Sequence, residues 1–404
     1  MTALYRHRQP DSRHPRRPAV AVHDLGTGAA LQRRFPTHYI LGAQKAGTTS
    51  LRAVLATASN VRLTSRRTDN NGTWIYNGET QFLNDCLATQ CTSERFAQYF
   101  EAAPVGTHNL DPTPNYLPAV PVPALLRRLM PQNLWADARF IVLLREPASR
   151  MLSWYNHRRR FSLYRHRRSY RGGLLLMTAN FMQCSWKRGA LSGVNHWAVA
   201  RMTSTTFWPS FDEDALCNLA MRCTDRRGTR ANLVNQSRRT ASPYADPLLA
   251  GHYVSHLNRW RAAGWRREQM LVLNFEYLVR NSSRALPAIR AFANIGSTID
   301  ELPRVERPEL HDPTLKAQLP PIRDREAAQA RMCCSTARLL LDHFQGPNAA
   351  LYAALRDEQQ AGLTPREEPP FPPFMAPPCM PCQNSSSAAI ATRRVAPYAR
   401  TCRF

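Results

Sequence analysis

The segment LGAQKAGTTSL, residues 41–51, carries two glycines five residues apart, Gly42 and Gly47, with one lysine between them. In the loop G-x-x-x-x-G-K-[ST] of nucleoside triphosphatases, the lysine follows the second glycine and a Ser or Thr then ligates magnesium. Here Thr48 occupies the lysine position and Lys45 lies inside the loop. Backbone N–H groups of such a loop, backed by a helix N-terminus, bind phosphate. The segment therefore predicts a phosphate-binding loop that is related to the nucleotide-binding loop without copying it.

The composition makes Lys45 more informative. The chain has 404 residues and a net charge of +25, yet only three of its 54 basic residues are lysines. A charge this high suggests a polyanionic partner, although a general preference for arginine accounts for part of it. Because lysine is rare in this chain, its presence between the two loop glycines indicates that Lys45 has a specific role.

A second group of phosphate-binding side chains follows an apolar run at 139–144. Arg145 comes directly after this predicted strand, and Ser153 lies eight residues further on, in a helix predicted to begin at Pro147. Ligands bind outside the carboxyl ends of the strands in an open parallel sheet. Arg145 and Ser153 are therefore predicted to hold a second phosphate near the first.

Three strand-and-helix units must position these side chains. The predicted strands are 38–43, 139–144 and 270–278, followed by helices at 48–58, 147–159 and 283–294. Alternating strands and helices predict an α/β fold, a P-loop-type open parallel sheet in a single domain with helices on both faces. Residues 1–35 and 361–404 are predicted to be disordered, and residues 160–247 to form a long basic insertion.

Between the first two units stand GETQFL, residues 78–83, and DPTPNY, residues 111–116. Glu79 is the candidate general base. His108 is the second candidate, since imidazole also titrates near neutrality.

These segments resemble, in order, those of the sulfotransferases that use 3′-phosphoadenosine-5′-phosphosulfate, and specifically the carbohydrate branch with the heparan sulfate enzymes. GAQKAGTTSL is similar to the 5′-phosphosulfate loop, GETQFL to the K-E-x-x-F-F segment with the base, and DPTPNYL to the E-K-x-P-x-Y segment. REPASRMLSWY resembles the 3′-phosphate motif, GHYVSHLNRW the G-x-Y-x-x-x-L-x-x-W motif, LVLNFEYL the strand with F-E-x-L, and HFQGPNAALYAAL the C-terminal helix. The chain departs from the pattern at Gly78 and Pro112, where the family has lysines, and it shows no K-G-R loop.

The resemblance implies a phosphosulfate donor held without a metal ion. Lys45 would neutralise the leaving phosphate, Glu79 would accept the proton of the acceptor, and Arg145 and Ser153 would bind the 3′-phosphate. The predicted donor-binding residues of the loop are Gly42, Lys45, Ala46, Gly47, Thr48, Thr49 and Ser50.

The predicted acceptor is a glycan or another polyanion, with sulfation of a hydroxyl or an amine. A basic stretch from His157 to Arg171 would supply binding residues, among them Arg158, Arg159 and Arg160, because Arg forks suit sulfates and carboxylates. No zinc-finger, RRM or KH signature points to nucleic acid.

The location expected from the resemblance is the Golgi lumen, and the sequons at Asn71, Asn235, Asn281 and Asn384 are a slight additional hint. The sequence shows no apolar run long enough to span a membrane and no secretory signal in its first 35 residues. A lone CxxC, Cys379 to Cys382, is weak evidence for zinc.

Two other functions stay open at this point. One is a non-catalytic or retuned relative that binds nucleotide or polyanionic glycan, given Gly78 and Pro112. The other is a P-loop kinase or nucleoside triphosphatase, against which Thr48 counts.

Overall fold

A five-stranded parallel sheet forms the centre of the protein in the computed structural model. The structure describes residues 28–64, 78–86, 91–165, 215, 247–296 and 331–381, with the side chains of 158–165 left out. In chain order the strands are β1 (His38–Gly42), β2 (Val61–Arg62), β3 (His108–Asp111), β4 (Arg139–Leu144) and β5 (Met270–Asn274). Their order across the sheet is β2-β3-β1-β4-β5.

The strand order explains where a ligand can bind. The chain runs from β1 to β2 and β3 on one side, then crosses to β4 and β5 on the other side. Strand β1 is therefore the topological switch point, and the crevice beyond its carboxyl end is flanked by the ends of β3 and β4. Every residue of β1 and β5 is buried, which shows that both faces of the sheet are covered.

Helices cover the sheet and connect its strands. They are α1 (Gly28–Arg34), α2 (Thr48–Leu55), α3 (Phe82–Asp85), α4 (Ser93–Ala97), α5 (Val122–Leu129), α6 (Pro147–Arg165), α7 (Tyr253–Ala262), α8 (Phe275–Arg280), α9 (Ser282–Ala293) and α10 (Cys334–Gln360). None of the described helices is both long enough and apolar enough to cross a membrane. The predicted α/β class with a parallel sheet is confirmed.

The third predicted strand is too long. The apolar run 270–278 is extended only to Asn274, whose side-chain oxygen accepts a hydrogen bond from the N–H of Tyr277 at 3.0 Å. This cap starts helix α8, so the second half of the run is helical. Side-chain hydrophobicity alone could not separate the two halves.

The predicted disorder of residues 1–35 is wrong for residues 28–35. Helix α1 forms there, and Phe35 is buried with its ring against Phe96, 5.2 Å between centroids. Arg33 donates from Nε to the carbonyl of Ala103 at 3.0 Å. An arginine-rich composition concealed these contacts, because their partners are distant in sequence.

The predicted disorder of residues 361–404 is wrong for residues 361–381, which we call the C-terminal strap. The buried Glu368 pairs with Arg267 and accepts a hydrogen bond from the N–H of Val272, on the edge strand β5, at 2.7 Å. Phe374 donates its N–H to the Tyr352 hydroxyl at 2.9 Å and packs on Tyr253, 6.0 Å between ring centroids. The strap therefore covers an edge strand that would otherwise offer unpaired backbone groups.

The structure shows cysteine pairings that the sequence left open. Cys379 of the lone CxxC forms a disulfide with Cys334 at the start of α10, which ties the strap to that helix. The weak zinc motif is therefore not a metal-binding pair. A second disulfide joins Cys86 and Cys91.

We expect Glu368→Ala to lower the free energy of unfolding by about 3 kcal/mol, because it leaves the Arg267 charge and the Val272 N–H without this buried partner. Denaturant unfolding measures the change. The matched control is Glu367→Ala, which removes the neighbouring half-buried carboxylate and should change stability by less than about 0.5 kcal/mol. Equal losses in the two variants would show that the Glu368 contacts do not stabilise the fold.

Candidate active site

The two loop glycines are required by close contacts and by backbone conformation. Both have positive φ, +145° at Gly42 and +81° at Gly47. A Cβ on Gly42 would lie 2.5 Å from the carbonyl oxygen of Pro114, and one on Gly47 would lie 2.6 Å from the Phe275 ring. The loop is thus enclosed by the segment after β3 on one side and by the start of α8 on the other.

Helix α2 begins at the loop with its first N–H groups available to a ligand. The residue before the helix is Gly47, which has no side chain to cap it. The first N–H groups of a helix lack intrahelical partners, and the positive end of the helix dipole adds to their attraction for an anion. Thr48 is buried, whereas Thr49 and Ser50 are half-buried beside it. This arrangement suits a phosphate in the crevice at the end of β1.

Lys45 lies at the top of the loop in the left-handed conformation, φ 72°. Its carbonyl accepts a hydrogen bond from Nη1 of Arg145 at 3.1 Å. Ala46 is buried beneath, with its N–H bonded to the carbonyl of Ala43 at 3.0 Å. The loop is therefore held from β4 as well as by its own turn.

The structure brings Arg145 to the loop in a way that the sequence did not predict. Its guanidinium lies 5.0 Å above the Phe275 ring, and its carbonyl accepts the hydroxyl of Tyr253 at 2.7 Å. Its Nε is buried without a hydrogen-bond partner among the described residues. Ser153 is half-buried on α6, beyond Arg145. The assignment of Arg145 and Ser153 to a second phosphate stays a prediction.

A buried carboxylate joins the two segments that sequence analysis singled out. Asp111, at the end of β3, accepts hydrogen bonds from the hydroxyls of Thr80 at 2.7 Å, Thr113 at 2.6 Å and Tyr116 at 3.0 Å. Thr80 belongs to GETQFL, and Thr113 and Tyr116 belong to DPTPNY. Asp111 therefore holds Thr80, the residue that follows Glu79. The sequence pattern did not indicate that Asp111 joins these two segments.

Glu79 therefore lies near the carboxyl ends of β1 and β3. It is half-buried, and Nε2 of Gln81 donates to its Oε2 at 3.3 Å. Gln81 in turn accepts a hydrogen bond from Asn84 at 2.8 Å. The pKa of Glu79 is raised to about 8, mainly by burial and also by the Asp111 carboxyl, while Arg52, Lys45 and the Gln81 hydrogen bond lower it in part. A carboxyl with this pKa can accept a proton near neutral pH.

His108 is wrong as the alternative base. It stands at the first residue of β3, at the amino end of the sheet, where its ring lies 4.2 Å from that of His38. The phosphate loop is at the carboxyl end of the parallel strands. A side chain at the amino ends of the strands cannot reach a group that is bound at their carboxyl ends.

The predicted acceptor residues Arg158, Arg159 and Arg160 lie in α6, but their side chains fall outside the described residues, as does nearly all of the predicted insertion. Among the residues that the structure does describe, no group of three or more His, Cys, Asp or Glu side chains could hold a metal ion. Independence of metal stays a prediction.

Sequence analysis missed Phe275 and Tyr253 as supports of the site. Phe275 contacts both Gly47 and Arg145, and Tyr253 holds the Arg145 backbone. Both lie in motifs noted earlier, LVLNFEYL and GHYVSHLNRW, but neither motif shows which loop it supports.

Comparison with known families agrees with this geometry. The sulfotransferase domain family matches residues 36–309, about two thirds of the chain. The chain therefore belongs to the sulfotransferase domain family, which supports a sulfotransferase enzyme.

Finer comparisons are less informative. A sulfotransferase from Alicyclobacillus acidocaldarius, known from its crystal structure, is 18% identical over 70% of this chain and 89% of its own, with a TM-score of 0.40. A likeness this distant carries no argument about the site. A search of curated proteins found no significant match.

The Glu79 pKa predicts a titration that needs no substrate. We expect the Glu79 carboxyl to be mostly protonated at pH 7 and to ionise around pH 8, because burial disfavours its charge. Carbon-13 NMR of labelled glutamate carboxyls would follow it, with Glu79→Gln to assign the signal. Lys45→Met should move the titration upward, since Lys45 favours the ionised form. A Glu79 signal that titrates near pH 4 would contradict the described environment.

Proposed function

We propose that this protein transfers a sulfuryl group from 3′-phosphoadenosine-5′-phosphosulfate to a hydroxyl or amine of a glycan. The observation that carries the proposal is that the loop with Lys45 follows β1 while Thr80, the neighbour of Glu79, is bonded to Asp111 at the end of the adjacent parallel strand β3. The lysine lies in an anion-binding loop, and the carboxyl with the raised pKa lies within its electrostatic reach.

The two residues suit the two ends of an in-line displacement. The acceptor oxygen or nitrogen forms a bond to sulfur while its proton passes to Glu79. The bond between sulfur and the bridging oxygen breaks, and its electron pair stays on the departing phosphate. Lys45 and the N–H groups at the start of α2 stabilise that charge. As in phosphoryl transfer, the protein mainly positions the reactants and stabilises charge.

The kinase or triphosphatase alternative is less well supported. Thr48 replaces the lysine that follows the second glycine in those loops. Such enzymes also need an acid that holds magnesium, and the acid at the end of β3, Asp111, already accepts hydrogen bonds from three hydroxyls in a fully buried position. Each of its oxygens therefore already accepts at least one hydrogen bond inside the protein.

The acceptor class rests on the resemblance and on the arginine-rich stretch that begins in α6. A polyanionic glycan would suit Arg158, Arg159 and Arg160.

A non-catalytic relative that binds the donor is the second candidate, and Gly78 favours it. Gly78 has φ +73°, a conformation strained for a lysine at this position.

The experiment that tests the proposal is incubation with labelled phosphosulfate donor and a panel of glycans, with Lys45→Ala as the comparison. We expect this variant to retain less than about a tenth of the transfer activity, because it loses charge stabilisation in the transition state. Its melting temperature should stay close to wild type, since the side chain fills no core space. Donor binding without transfer to any glycan would favour the non-catalytic alternative. A variant with more than a tenth of the activity would contradict the role of Lys45.

A second prediction tests Arg145. The variant Arg145→Ala should lose affinity for the donor by about 10- to 150-fold, the effect of one charge-assisted contact of about 1.5 to 3 kcal/mol. A donor that lacks the 3′-phosphate is the control. Because Arg145 also holds the Lys45 carbonyl, some loss is expected with both donors, but the loss should be larger with the complete one. Equal losses would show that Arg145 acts only on the loop.

We also propose that the protein works in the Golgi lumen. The disulfides Cys86–Cys91 and Cys334–Cys379 support an oxidising compartment, where such bonds persist. Fractionation of cells that express the untagged chain tests this, together with glycosidase treatment to detect glycans on the sequons. A cytosolic product with unmodified sequons would contradict it.

A further inference from the structure

Three side-chain amides lie beside the candidate base and are joined to it by hydrogen bonds. Nε2 of Gln81 donates to Oε2 of Glu79 at 3.3 Å. Oε1 of Gln81 accepts from Nδ2 of Asn84 at 2.8 Å and from Nδ2 of Asn115 at 3.5 Å. The backbone N–H of Gln81 donates to Oγ1 of Thr113 at 3.3 Å, and these contacts hold Gln81 at φ 53°, which residues other than glycine rarely adopt.

The direction of these hydrogen bonds decides which amide atoms stay available. Gln81 turns its nitrogen to Glu79 and its oxygen to the two asparagines, so both asparagines use their nitrogens inside the protein. Oδ1 of Asn84 and Oδ1 of Asn115 are buried, and neither has a hydrogen-bond partner among the described residues. Asn115 is only 7% exposed.

Two buried carbonyl oxygens without partners indicate a bound group. A buried amide oxygen has lost its hydrogen bonds to water, and leaving it unpaired costs more than a typical hydrogen bond contributes. Such atoms are rare in folded proteins, and each one requires an explanation. Both oxygens here belong to one hydrogen-bonded group that ends at Glu79, so the molecule that reacts at Glu79 is the candidate partner.

The surroundings determine which chemical group fits these oxygens. Amide oxygens accept hydrogen bonds, and they repel the oxygens of a carboxylate or sulfate. The segments 78–83 and 111–116 contain no lysine or arginine that could offset the repulsion. The cations that act on Glu79, Lys45 and Arg52, belong to the phosphate loop and to helix α2. A hydroxyl donates a hydrogen bond and carries no charge, so sugar hydroxyls match the two oxygens.

We propose that Asn84 and Asn115 form an amide subsite for the sugar hydroxyls next to the reacting one, so that the acceptor unit at the base is an uncharged sugar residue. This inference rests on the proposed function and narrows its acceptor. The reacting hydroxyl lies at Glu79, and its neighbours on the ring donate to the two asparagine oxygens. Negatively charged units of the glycan bind away from this subsite.

Saturation-transfer NMR tests the amide subsite without turnover. The full-length protein is saturated with adenosine 3′,5′-bisphosphate, and the probes are the methyl β-glycosides of glucose, galactose and N-acetylglucosamine, with the charged methyl β-glucuronide as comparison. We expect at least one uncharged glycoside to bind, and the glucuronide to bind about tenfold or more weakly than the best of them. Equal or tighter binding of the glucuronide, or no binding of any uncharged glycoside, would overturn the proposal.

The variants Asn84→Leu and Asn115→Leu remove the two oxygens at nearly constant side-chain size. Each should weaken binding of the best uncharged glycoside about 3- to 10-fold, the effect of one neutral hydrogen bond, with affinity for adenosine 3′,5′-bisphosphate within about twofold. Asn84→Asp and Asn115→Asp keep an acceptor oxygen and should restore part of the binding. Because Asn115 is buried, melting temperatures are measured, and the half-buried Asn84 decides the outcome if Asn115→Leu does not fold.

Deoxy glycosides and a matched asparagine supply the controls. The derivative that lacks the hydroxyl bound by Asn84 should bind equally to wild type and to Asn84→Leu, because the two changes remove one interaction. Asn60 uses both amide atoms within the fold, donating to the Asn294 carbonyl at 2.9 Å and accepting the Gly296 N–H at 3.0 Å. Asn60→Leu should leave glycoside affinity unchanged. Variants at Asn84 and Asn115 that bind like this control would overturn the proposal and show that water alone occupies the subsite.

Transfer from the labelled donor is measured separately, which keeps the two proposals distinct. The expected pattern of sugar binding without transfer to any glycan would count against the proposed function alone. Transfer to a glycan whose acceptor KM is the same in wild type and in both leucine variants would overturn the amide subsite alone.

Discussion

The site depends on one buried carboxylate, Asp111, at the end of β3. Three hydroxyls donate to it, one from the segment with Glu79 and two from the turn that follows the strand. A buried acid is costly unless its oxygens are hydrogen-bonded, so these segments are held together. The same carboxylate raises the pKa of Glu79. Asp111 thus helps to position the candidate base and adds to the rise of its pKa, of which burial is the larger cause.

The loop that follows β1 is enclosed by close contacts. Gly42 approaches the Pro114 carbonyl and Gly47 approaches the Phe275 ring, so neither position has room for a side chain. Behind it, Asn274 caps the helix that carries Phe275 and donates from its side chain to the Pro372 carbonyl at 3.1 Å. The C-terminal strap therefore supports the element that encloses the loop, although it lies almost a hundred residues further along the chain.

The chain is strongly basic overall, but its positive charges are spread unevenly around the candidate site. The net charge of +25 belongs mostly to arginines, yet the basic residue inside the loop is a lysine, a compact charge on a flexible stem. The two segments around the candidate base, residues 78–83 and 111–116, contain no lysine or arginine. An overall positive charge therefore says little about where a site needs positive charge.

The sequence by itself determined the parallel α/β sheet, the loop at the end of β1, and the candidate roles of Lys45 and Glu79. Strand periodicity, glycine spacing and motif order are local properties, so they can be recognised without the fold. Only the tertiary structure decided that His108 lies at the end of the sheet away from the loop, because this follows from the parallel pairing of β3 with β1 and β2. Burial and disulfide pairing likewise depend on contacts between distant residues. For that reason the order of the strap and the raised pKa of Glu79 could not be predicted from the residues alone.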